Sequence, residues 1–338
     1  MCGDETHDLG KRRGVKGADA LAGLYARHAG FVAGVAVRYG KRVQLWGDVL
    51  RKLPQALERL PEGAEVLDWA YFPSNRLDGG AFFAERGVPV AACPSVRGFG
   101  TLFPAVEEAR EVIVRQALAA RECGAEGVVN TDWGDHGHFG MPPCAWHGIA
   151  LGAQAAWNPE GGGMERGGVF DRAFSRVFFG KGGERAGEMF SRLGNVPPGL
   201  AVWPLAAAGG KPAGMTEAPP PLPPAECARW AGMSGDCAAA FAALPDGASP
   251  WTDAVDRAQL VLAARFVAFA ARWGAGTASE ALSRELDGLE REFAELWMAE
   301  SRPHGLLDVK SRGFGVLRQL LGQGRGGDIF EKDKEKER

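Results

Sequence analysis

Short apolar runs alternate with longer amphipathic stretches over the first half of the chain. The apolar runs cover 43–46, 65–71, 88–93 and 127–131. Helical spacing of apolar residues separates them; the first such stretch covers 18–39, and Gly40 stands where that helix would end. Strands that are apolar almost throughout are typical of parallel sheets covered on both faces. With the opening stretch 1–9 counted as one further strand position, the pattern predicts an α/β fold in which strands and helices alternate.

This alternation stops after a helical pattern at 146–157. We therefore predict that 1–159 is the C-terminal part of a (β/α)8 TIM barrel, comprising strands four to eight, and that another chain or segment supplies the missing strands. The remainder, 160–330, is predicted to be an α-helical C-terminal region. It contains a proline-rich segment at 218–224, typical of a spacer or an exposed loop. The charged tail 331–338 is predicted to be disordered.

Composition narrows the classes of partner. The chain has 338 residues and a formal net charge of -3, so there is no basic excess to bind nucleic acid or an anionic membrane surface. No apolar run is expected to cross a membrane, and no signal-like region opens the chain, so the cytoplasm is the default location. The six cysteines are irregularly spaced without a CxxC, which favours buried free thiols over a zinc knuckle or disulfides.

Polar and aromatic residues recur where the predicted strands end. Because strand ends of a barrel face one mouth, we expect these side chains to share a site. The candidates are Asp4, Glu5, Trp46, Asp48, Trp69, Tyr71, Arg97, Asp132, Trp133 and Asp135. Three indole rings would form flat apolar walls, which suit the faces of a pyranose ring. Taken singly, an Asp-Glu pair is most often a solvated turn and a tryptophan near a strand end is often a core residue.

Four motifs taken together resemble a known enzyme family. They are Gly-Asp-Glu-Thr at 3–6, Trp-Gly-Asp at 46–48, Asn-Thr-Asp-Trp-Gly-Asp at 130–135, and the stretch 148–158. Their order is similar to that in glycoside hydrolase family 20, the β-N-acetylhexosaminidases. In that family the adjacent Asp-Glu pair ends strand four of a (β/α)8 barrel. The resemblance covers about 1–159 and implies a glycosidase that removes terminal β-linked N-acetylhexosamine, either GlcNAc or GalNAc.

The resemblance also implies roles for individual residues. Glu5 would be the general acid on the glycosidic oxygen, and Asp4 would orient the 2-acetamido group of the substrate. The acetamido oxygen attacks the anomeric carbon in this retaining, substrate-assisted scheme, so no enzyme nucleophile, metal or other cofactor is expected. Asp135 would bind outer hydroxyls of the terminal sugar. The rings expected to wall the sugar pocket are Trp46, Trp69 and Trp133.

Some positions depart from the family pattern. The tyrosine that holds the acetamido oxygen in the family has no counterpart at 91–99, and we expect Tyr71 to replace it. Asp48 is expected to bind substrate. The arginine that grips sugar hydroxyls from strand one of the family would lie outside this chain.

Two other classes of function remain open. His136 and His138, with Asp135, could share a metal ion in a metal-dependent hydrolase. Alternatively, a truncated barrel could keep the shape of a sugar pocket and bind carbohydrate without turnover, because activity depends on complete site geometry rather than on fold.

Overall fold

The protein divides into two compact units that the chain enters more than once. The computed structural model describes residues 3–134, 140–161, 165, 167–197, 222–247 and 249–322. The first unit comprises 1–95, 111–131 and 152–161; the second comprises 96–110, 132–151 and 162–338. The last crossing, at 161/162, lies close to the predicted boundary at 159, but two earlier segments of the predicted barrel part, 96–110 and 132–151, belong to the second unit.

Strands and helices alternate through the first half of the chain. In order they are α1 (Ala18–Arg38), β1 (Gln44–Trp46), α2 (Asp48–Lys52), a 3-10 helix (Pro54–Arg59), β2 (Glu65–Trp69), α3 (Gly79–Ala84), β3 (Val90–Cys93), α4 (Val106–Glu122), β4 (Gly127–Val128) and α5 (Pro142–Trp157). The four strands form one sheet in the order β1-β2-β3-β4, and every neighbouring pair is parallel. The predicted α/β class with a parallel sheet is confirmed.

The opening stretch is not a strand, and that part of the prediction was wrong. Residues 3–6 are irregular and 7–10 form a turn. Glu5 has a left-handed backbone with φ 49°, and the Leu9 N–H donates to the Thr6 carbonyl oxygen at 3.0 Å. A strand needs an extended backbone whose N–H and carbonyl groups bond to a neighbouring strand, whereas the backbone–backbone bonds of this stretch are local turn bonds.

The two faces of the sheet differ. Leu45, Val66 and Val90 are buried in a core that also contains residues of α1, α2 and α3. Side chains of paired residues on neighbouring strands point to the same face of a sheet. Trp46 pairs with Leu67 and Trp69 pairs with Cys93, so these residues form a second group on the other face. We call this group the aromatic face; it consists of Trp46, Leu67, Trp69, Ala91 and Cys93.

Helix α1 is more apolar than the sequence analysis expected. Among the described residues it is the one helix whose length and composition would allow it to cross a membrane, so the prediction that no apolar run has this length was wrong. Buried core helices meet the same criterion. Four alanines and Tyr25 on one side of α1 are buried in the core of the first unit, which accounts for its apolar composition.

The second unit is helical after α5. Its helices are α6 (Val169–Phe179), α7 (Ala186–Leu193), α8 (Pro224–Ala242), α9 (Ala254–Ala275), α10 (Ser279–Glu300), α11 (Leu306–Val309) and α12 (Val316–Gly322). A capping box begins α9, where Asp253 accepts from the Asp256 amide at 2.9 Å and Asp256 accepts from the Asp253 amide. The predicted helical region is present. Most of the proline-rich segment and the whole tail 331–338 lie outside the described residues.

Candidate active site at the carboxyl edge of the sheet

The turn after β1 places two of the predicted site residues. A Cβ atom on Gly47 would come within 2.8 Å of Val66 Cγ1 and 3.0 Å of Phe83 Cε2. Only glycine therefore fits where the chain passes over the core. The Gly47 N–H donates to the Leu67 carbonyl oxygen at 2.9 Å, which continues the strand ladder by one residue. Trp46 and Asp48 are thus fixed on either side of a tightly packed glycine at the carboxyl end of β1.

The Asp4-Glu5 pair lies beside this turn. The backbone N–H of Glu5 donates to Asp48 Oδ2 at 3.0 Å, a contact between residues that are 43 positions apart. Asp4 is partly buried and Glu5 is exposed. The predicted catalytic pair and the end of β1 are therefore neighbours, even though the pair does not end a strand.

Tyr25, which the sequence did not single out, lies close enough to Asp4 and Asp48 for both charges to act on its hydroxyl. Tyr25 is 5% exposed, and a Cβ on Gly3 would be 3.1 Å from its hydroxyl oxygen. Burial raises the pKa of Tyr25 to about 12, and the negative charges of Asp48 and Asp4 add to this effect. The phenol is thus protonated at neutral pH. We call Asp4, Tyr25 and Asp48 the edge cluster.

The edge cluster has unused hydrogen-bonding capacity. Within the described residues, the Tyr25 hydroxyl and Asp48 Oδ1 are buried and have no hydrogen-bond partner. Buried polar atoms normally have partners in folded proteins, and an exception calls for an explanation such as a catalytic role or a bound water or ion. These two atoms favour a site that works on a ligand over a purely structural contact.

Aromatic rings line the same end of the sheet. Trp46 ends β1 and Trp69 ends β2, and both are partly buried against the aromatic face. The Trp69 and Tyr71 rings are stacked, with centroids 5.0 Å apart and planes 22° apart. Burial raises the pKa of the Cys93 thiol far above neutral, so this thiol is not a nucleophile. Three of the predicted substrate-binding rings therefore lie at the carboxyl edge of the sheet.

Asp68, on the opposite face, is a second residue that sequence analysis missed. Its side chain is 13% exposed, and burial raises its pKa to about 6 although Arg51, at 3.9 Å, opposes this. The start of α3 packs so closely against this carboxylate that a Cβ on Gly79 would overlap it. The available signal was an aspartate in the middle of the run 65–71, flanked on both sides by apolar residues. The packing indicates that Asp68 anchors α3.

The remaining predicted residues belong to the second unit or lie outside the described residues. Trp133 is partly buried in the second unit. Arg97 is buried, donates to Glu108 Oε2 from Nε and Nη2 at 3.0 and 2.8 Å, and lies over the Phe99 ring, which indicates a structural role. Asp135 and the His136-Gly-His138 motif lie outside the described residues. Within the described ranges there is no group of three or more metal-ligating side chains.

A second polar cluster, also missed from the sequence, is fully enclosed in the second unit. Asp171 Oδ1 accepts from His147 Nε2 at 2.8 Å and from Arg110 Nη2 at 2.9 Å, and Oδ2 accepts from the Gly167 N–H at 2.6 Å. His147 is 0% exposed and packs against three phenylalanine rings. We call Arg110, His147 and Asp171 the enclosed cluster. Its members come from α4, α5 and α6, so no local motif reveals it.

Protonation in the enclosed cluster follows from its surroundings. Burial would raise the pKa of Asp171, but hydrogen bonds from His147 and Arg110 outweigh burial and lower it to about 2. Burial lowers the pKa of His147, against the opposing effect of the Asp171 carboxylate. A neutral imidazole that donates from Nε2 to an ionised carboxylate satisfies both observations.

Comparison with known proteins adds no assignment to this geometry. No protein-family model matches the chain, and no curated protein matches it significantly. The residues at the carboxyl edge of the sheet are therefore the basis for a functional proposal.

Proposed function

We propose that this chain carries the carboxylates and part of the sugar pocket of a retaining glycoside hydrolase that removes terminal β-linked N-acetylhexosamine. The observation that supports this most directly is the hydrogen bond from the Glu5 amide to Asp48. Asp48 follows Trp46 by two residues, so this bond brings the Asp4-Glu5 pair to the sheet edge that carries the indole rings. Paired carboxylates beside flat apolar walls are suited to acid-assisted cleavage of a glycosidic bond.

The two carboxylates have different surroundings, which suits different roles. Glu5 is exposed and can meet the glycosidic oxygen, whereas Asp4 is partly buried beside Tyr25. In the proposed reaction the acetamido oxygen attacks the anomeric carbon while Glu5 donates its proton to the departing oxygen. Asp4 accepts a hydrogen bond from the acetamido N–H as positive charge develops on the oxazolinium. Water then adds to the anomeric carbon, and the Glu5 carboxylate takes its proton.

We propose further that the sheet is part of a (β/α)8 barrel. Neighbours in the sheet are neighbours in the chain, and the described strands show no reversal of order. Doubly wound sheets reverse their strand order at a switch point, whereas barrels keep it sequential. One sheet face packs on helices and the other carries the aromatic face, as barrel exteriors and interiors do. A complete barrel requires strands from elsewhere, and the proposed partner is a segment or chain that supplies them.

The test uses the full chain and N-acetyl-β-hexosaminides with good (4-nitrophenyl) and poor (methyl) leaving groups. Glu5→Gln should lower kcat/KM about 10²- to 10⁴-fold for the methyl glycoside and much less for the aryl glycoside, which needs little protonation. Asp4→Asn should lower both alike, because oxazolinium formation precedes any benefit from the leaving group. Glu58→Gln is the matched control, since Glu58 is an exposed glutamate in the same unit.

Equal losses on both substrates for Glu5→Gln would overturn the assignment of the acid. Binding of N-acetylglucosamine by calorimetry without hydrolysis of either substrate would replace the enzyme by a non-catalytic carbohydrate-binding protein. Trp133 and Asp135 stay predictions as further binding residues.

A further inference from the structure

The Glu5 backbone adopts a conformation that needs support from its neighbours. Its φ of 49° lies in the left-handed region, which residues with a Cβ adopt only when surrounding contacts hold them there. Two contacts do so: the Glu5 carbonyl oxygen accepts from the His7 N–H at 2.6 Å, and the Glu5 N–H donates to Asp48 Oδ2 at 3.0 Å. The first is local to the turn. The second joins the turn to the sheet.

This left-handed residue gives the adjacent carboxylates different environments. Asp4 remains partly buried and close enough to Tyr25 to raise the pKa of the phenol, while Glu5 is exposed. Two neighbouring carboxylates in an extended strand would also point to opposite sides, but there the sheet would set both directions. Here the direction of Glu5 depends on the contacts that hold its own backbone.

Asp48 is well placed to hold that backbone. It follows Gly47, which cannot carry a side chain without meeting Val66 and Phe83, so the position of Asp48 is set by core packing. Among the described residues, its carboxylate accepts one hydrogen bond, from the Glu5 amide. The nearby cation Arg51 pairs with Asp78 at 2.7 Å and Asp68 at 3.9 Å instead. A carboxylate that accepts a backbone N–H makes a strong, directional contact.

We propose that Asp48 is a positioning residue that fixes the Glu5 backbone and thereby aims the acid side chain, in place of the substrate-binding role expected from the sequence. The inference rests on the proposed function for the role of Glu5 as the acid. It deepens that function, because the position of the Glu5 side chain would depend on the hydrogen bond that joins the opening turn to the end of β1. Small displacements of a catalytic group cost large factors in rate.

The first measurement follows the hydrogen bond itself and needs no activity. In the nitrogen-15-labelled full chain, Asp48→Ala should speed hydrogen exchange of the Glu5 amide about tenfold, because that amide loses a charged acceptor. Asp48→Asn keeps an acceptor oxygen and should restore most of the protection. Asp19→Ala is the matched control: Asp19 is an exposed aspartate in the first turn of α1. Unchanged exchange in Asp48→Ala would overturn the inference.

The second measurement separates positioning from sugar binding. Asp48→Ala should lower kcat for the methyl glycoside about tenfold or more, with little change for the 4-nitrophenyl glycoside and KM within about twofold. Combined with Glu5→Gln, it should add no further loss, because both changes remove one function. A raised KM on both substrates would instead assign Asp48 to the sugar. Circular dichroism of each variant checks folding.

The two hypotheses fail in different ways. If the wild-type chain neither binds N-acetylglucosamine nor hydrolyses either glycoside, the proposed function fails, and the exchange of the Glu5 amide still decides whether Asp48 holds the turn. If the wild type is active but Asp48→Ala leaves the leaving-group dependence unchanged, the proposed function stands and the positioning role is overturned.

Discussion

The enclosed cluster and the edge cluster both contain an aspartate beside other polar side chains, but the two aspartates differ in how many of their oxygens are hydrogen-bonded. In the enclosed cluster both Asp171 oxygens accept hydrogen bonds, and phenylalanine rings surround the imidazole. In the edge cluster Asp48 Oδ1 and the Tyr25 hydroxyl are buried without a partner among the described residues. His147 Nδ1 is likewise buried without a partner among the described residues, so the contrast concerns the carboxylates. A carboxylate bonded at both oxygens joins the elements around it, whereas an unbonded carboxylate oxygen at a strand end favours a role with a ligand.

This contrast teaches that burial alone does not identify a site. His147 and Asp171 are more deeply buried than Asp4 or Asp48, and Asp171 has a strongly shifted pKa. Because the pKa of Tyr25 in the edge cluster is also strongly shifted, shifted pKa values alone do not separate the two clusters. The position of Asp48 at the carboxyl end of β1, with the exposed Glu5 hydrogen-bonded to it, favours the edge cluster. The following variants test that difference, from the largest expected effect to the smallest.

Removing the carboxylate of the enclosed cluster should have the largest effect. Asp171→Ala removes the buried carboxylate that accepts hydrogen bonds from Arg110 and His147, and should lower the free energy of unfolding by about 3 to 5 kcal/mol. Urea unfolding followed by circular dichroism measures the change. Glu280→Ala, which removes an exposed pair with Arg284 on α10, should change little and serves as the control. A loss below about 1 kcal/mol for Asp171→Ala would mean that the cluster does not hold the unit together.

The pH dependence of stability should come next. Asp171 has a folded pKa of about 2 against an ordinary 3.8, so its ionised form stabilises the fold above pH 3.8, and that contribution of about 2 kcal/mol is lost as pH falls toward 2. The pKa of His147 is also lowered in the folded protein, from 6.5, so protonation favours the unfolded chain as pH falls below 6.5. Both groups therefore destabilise the fold in acid.

His147→Gln separates the two contributions. Glutamine can donate to Asp171 without titrating, so the variant should lose the decline in unfolding free energy that begins below pH 6.5 and keep the decline below pH 4. Comparing urea midpoints of variant and wild type at each pH isolates His147 from other titrating groups. Identical pH profiles would show that His147 keeps the same pKa in both states.

Most helices and strands could be predicted from the sequence, because the spacing of apolar residues within each element shows which of its sides is buried. The runs 43–46, 65–71 and 88–93 contain strands, and the pattern at 18–39 marks α1 almost to the residue. The opening stretch failed because its conformation depends on a contact with Asp48, 43 residues away, which no local pattern contains. The Asp-Glu pair was expected to end a strand because it does so in the family that the motifs resemble. In this protein the backbone at the pair forms a turn instead.

The candidate site was predictable where residues stand at strand ends and unpredictable where helices meet. Trp46 and Trp69 lie at the same sheet edge because parallel strands all end there. Tyr25 enters the site from α1, where helical spacing marks it only as an apolar position facing the core. His147 and Asp171 meet between helices, so their pairing depends on tertiary packing alone.

Removing an aromatic ring at the carboxyl edge of the sheet should weaken sugar binding. This effect should be smaller than the loss of rate expected when a carboxylate is replaced. Trp69→Ala removes a ring stacked on Tyr71 and should weaken N-acetylglucosamine binding by about 1 to 2 kcal/mol, roughly 5- to 30-fold in Kd. Titration calorimetry measures it. Trp157→Ala is the matched control, because Trp157 is 89% exposed in the same unit. Equal affinity in wild type and Trp69→Ala would make Trp69 a core residue.

The smallest pair of effects compares one hydroxyl from each region. In the second unit, Ser175 Oγ donates to the Asp171 carbonyl oxygen at 2.8 Å and accepts from the Gly187 N–H at 2.8 Å. Ser175→Ala should therefore cost about 1 to 2 kcal/mol of unfolding free energy, since it leaves a buried amide unpaired. Tyr25→Phe removes a hydroxyl that has no partner within the described structure, and should change that free energy by less than about 0.5 kcal/mol.

The same two variants should reverse their order when sugar binding is measured. Ser175→Ala should leave the affinity for N-acetylglucosamine unchanged, because its hydroxyl is committed to α6 and α7. Tyr25→Phe should weaken it severalfold, because the protonated phenol is close to both Asp4 and Asp48 and makes no hydrogen bond within the described structure. Urea unfolding and calorimetry on one preparation of each variant give all four values. If Tyr25→Phe destabilised the fold as much as Ser175→Ala and left binding intact, the edge cluster would be as structural as the enclosed one.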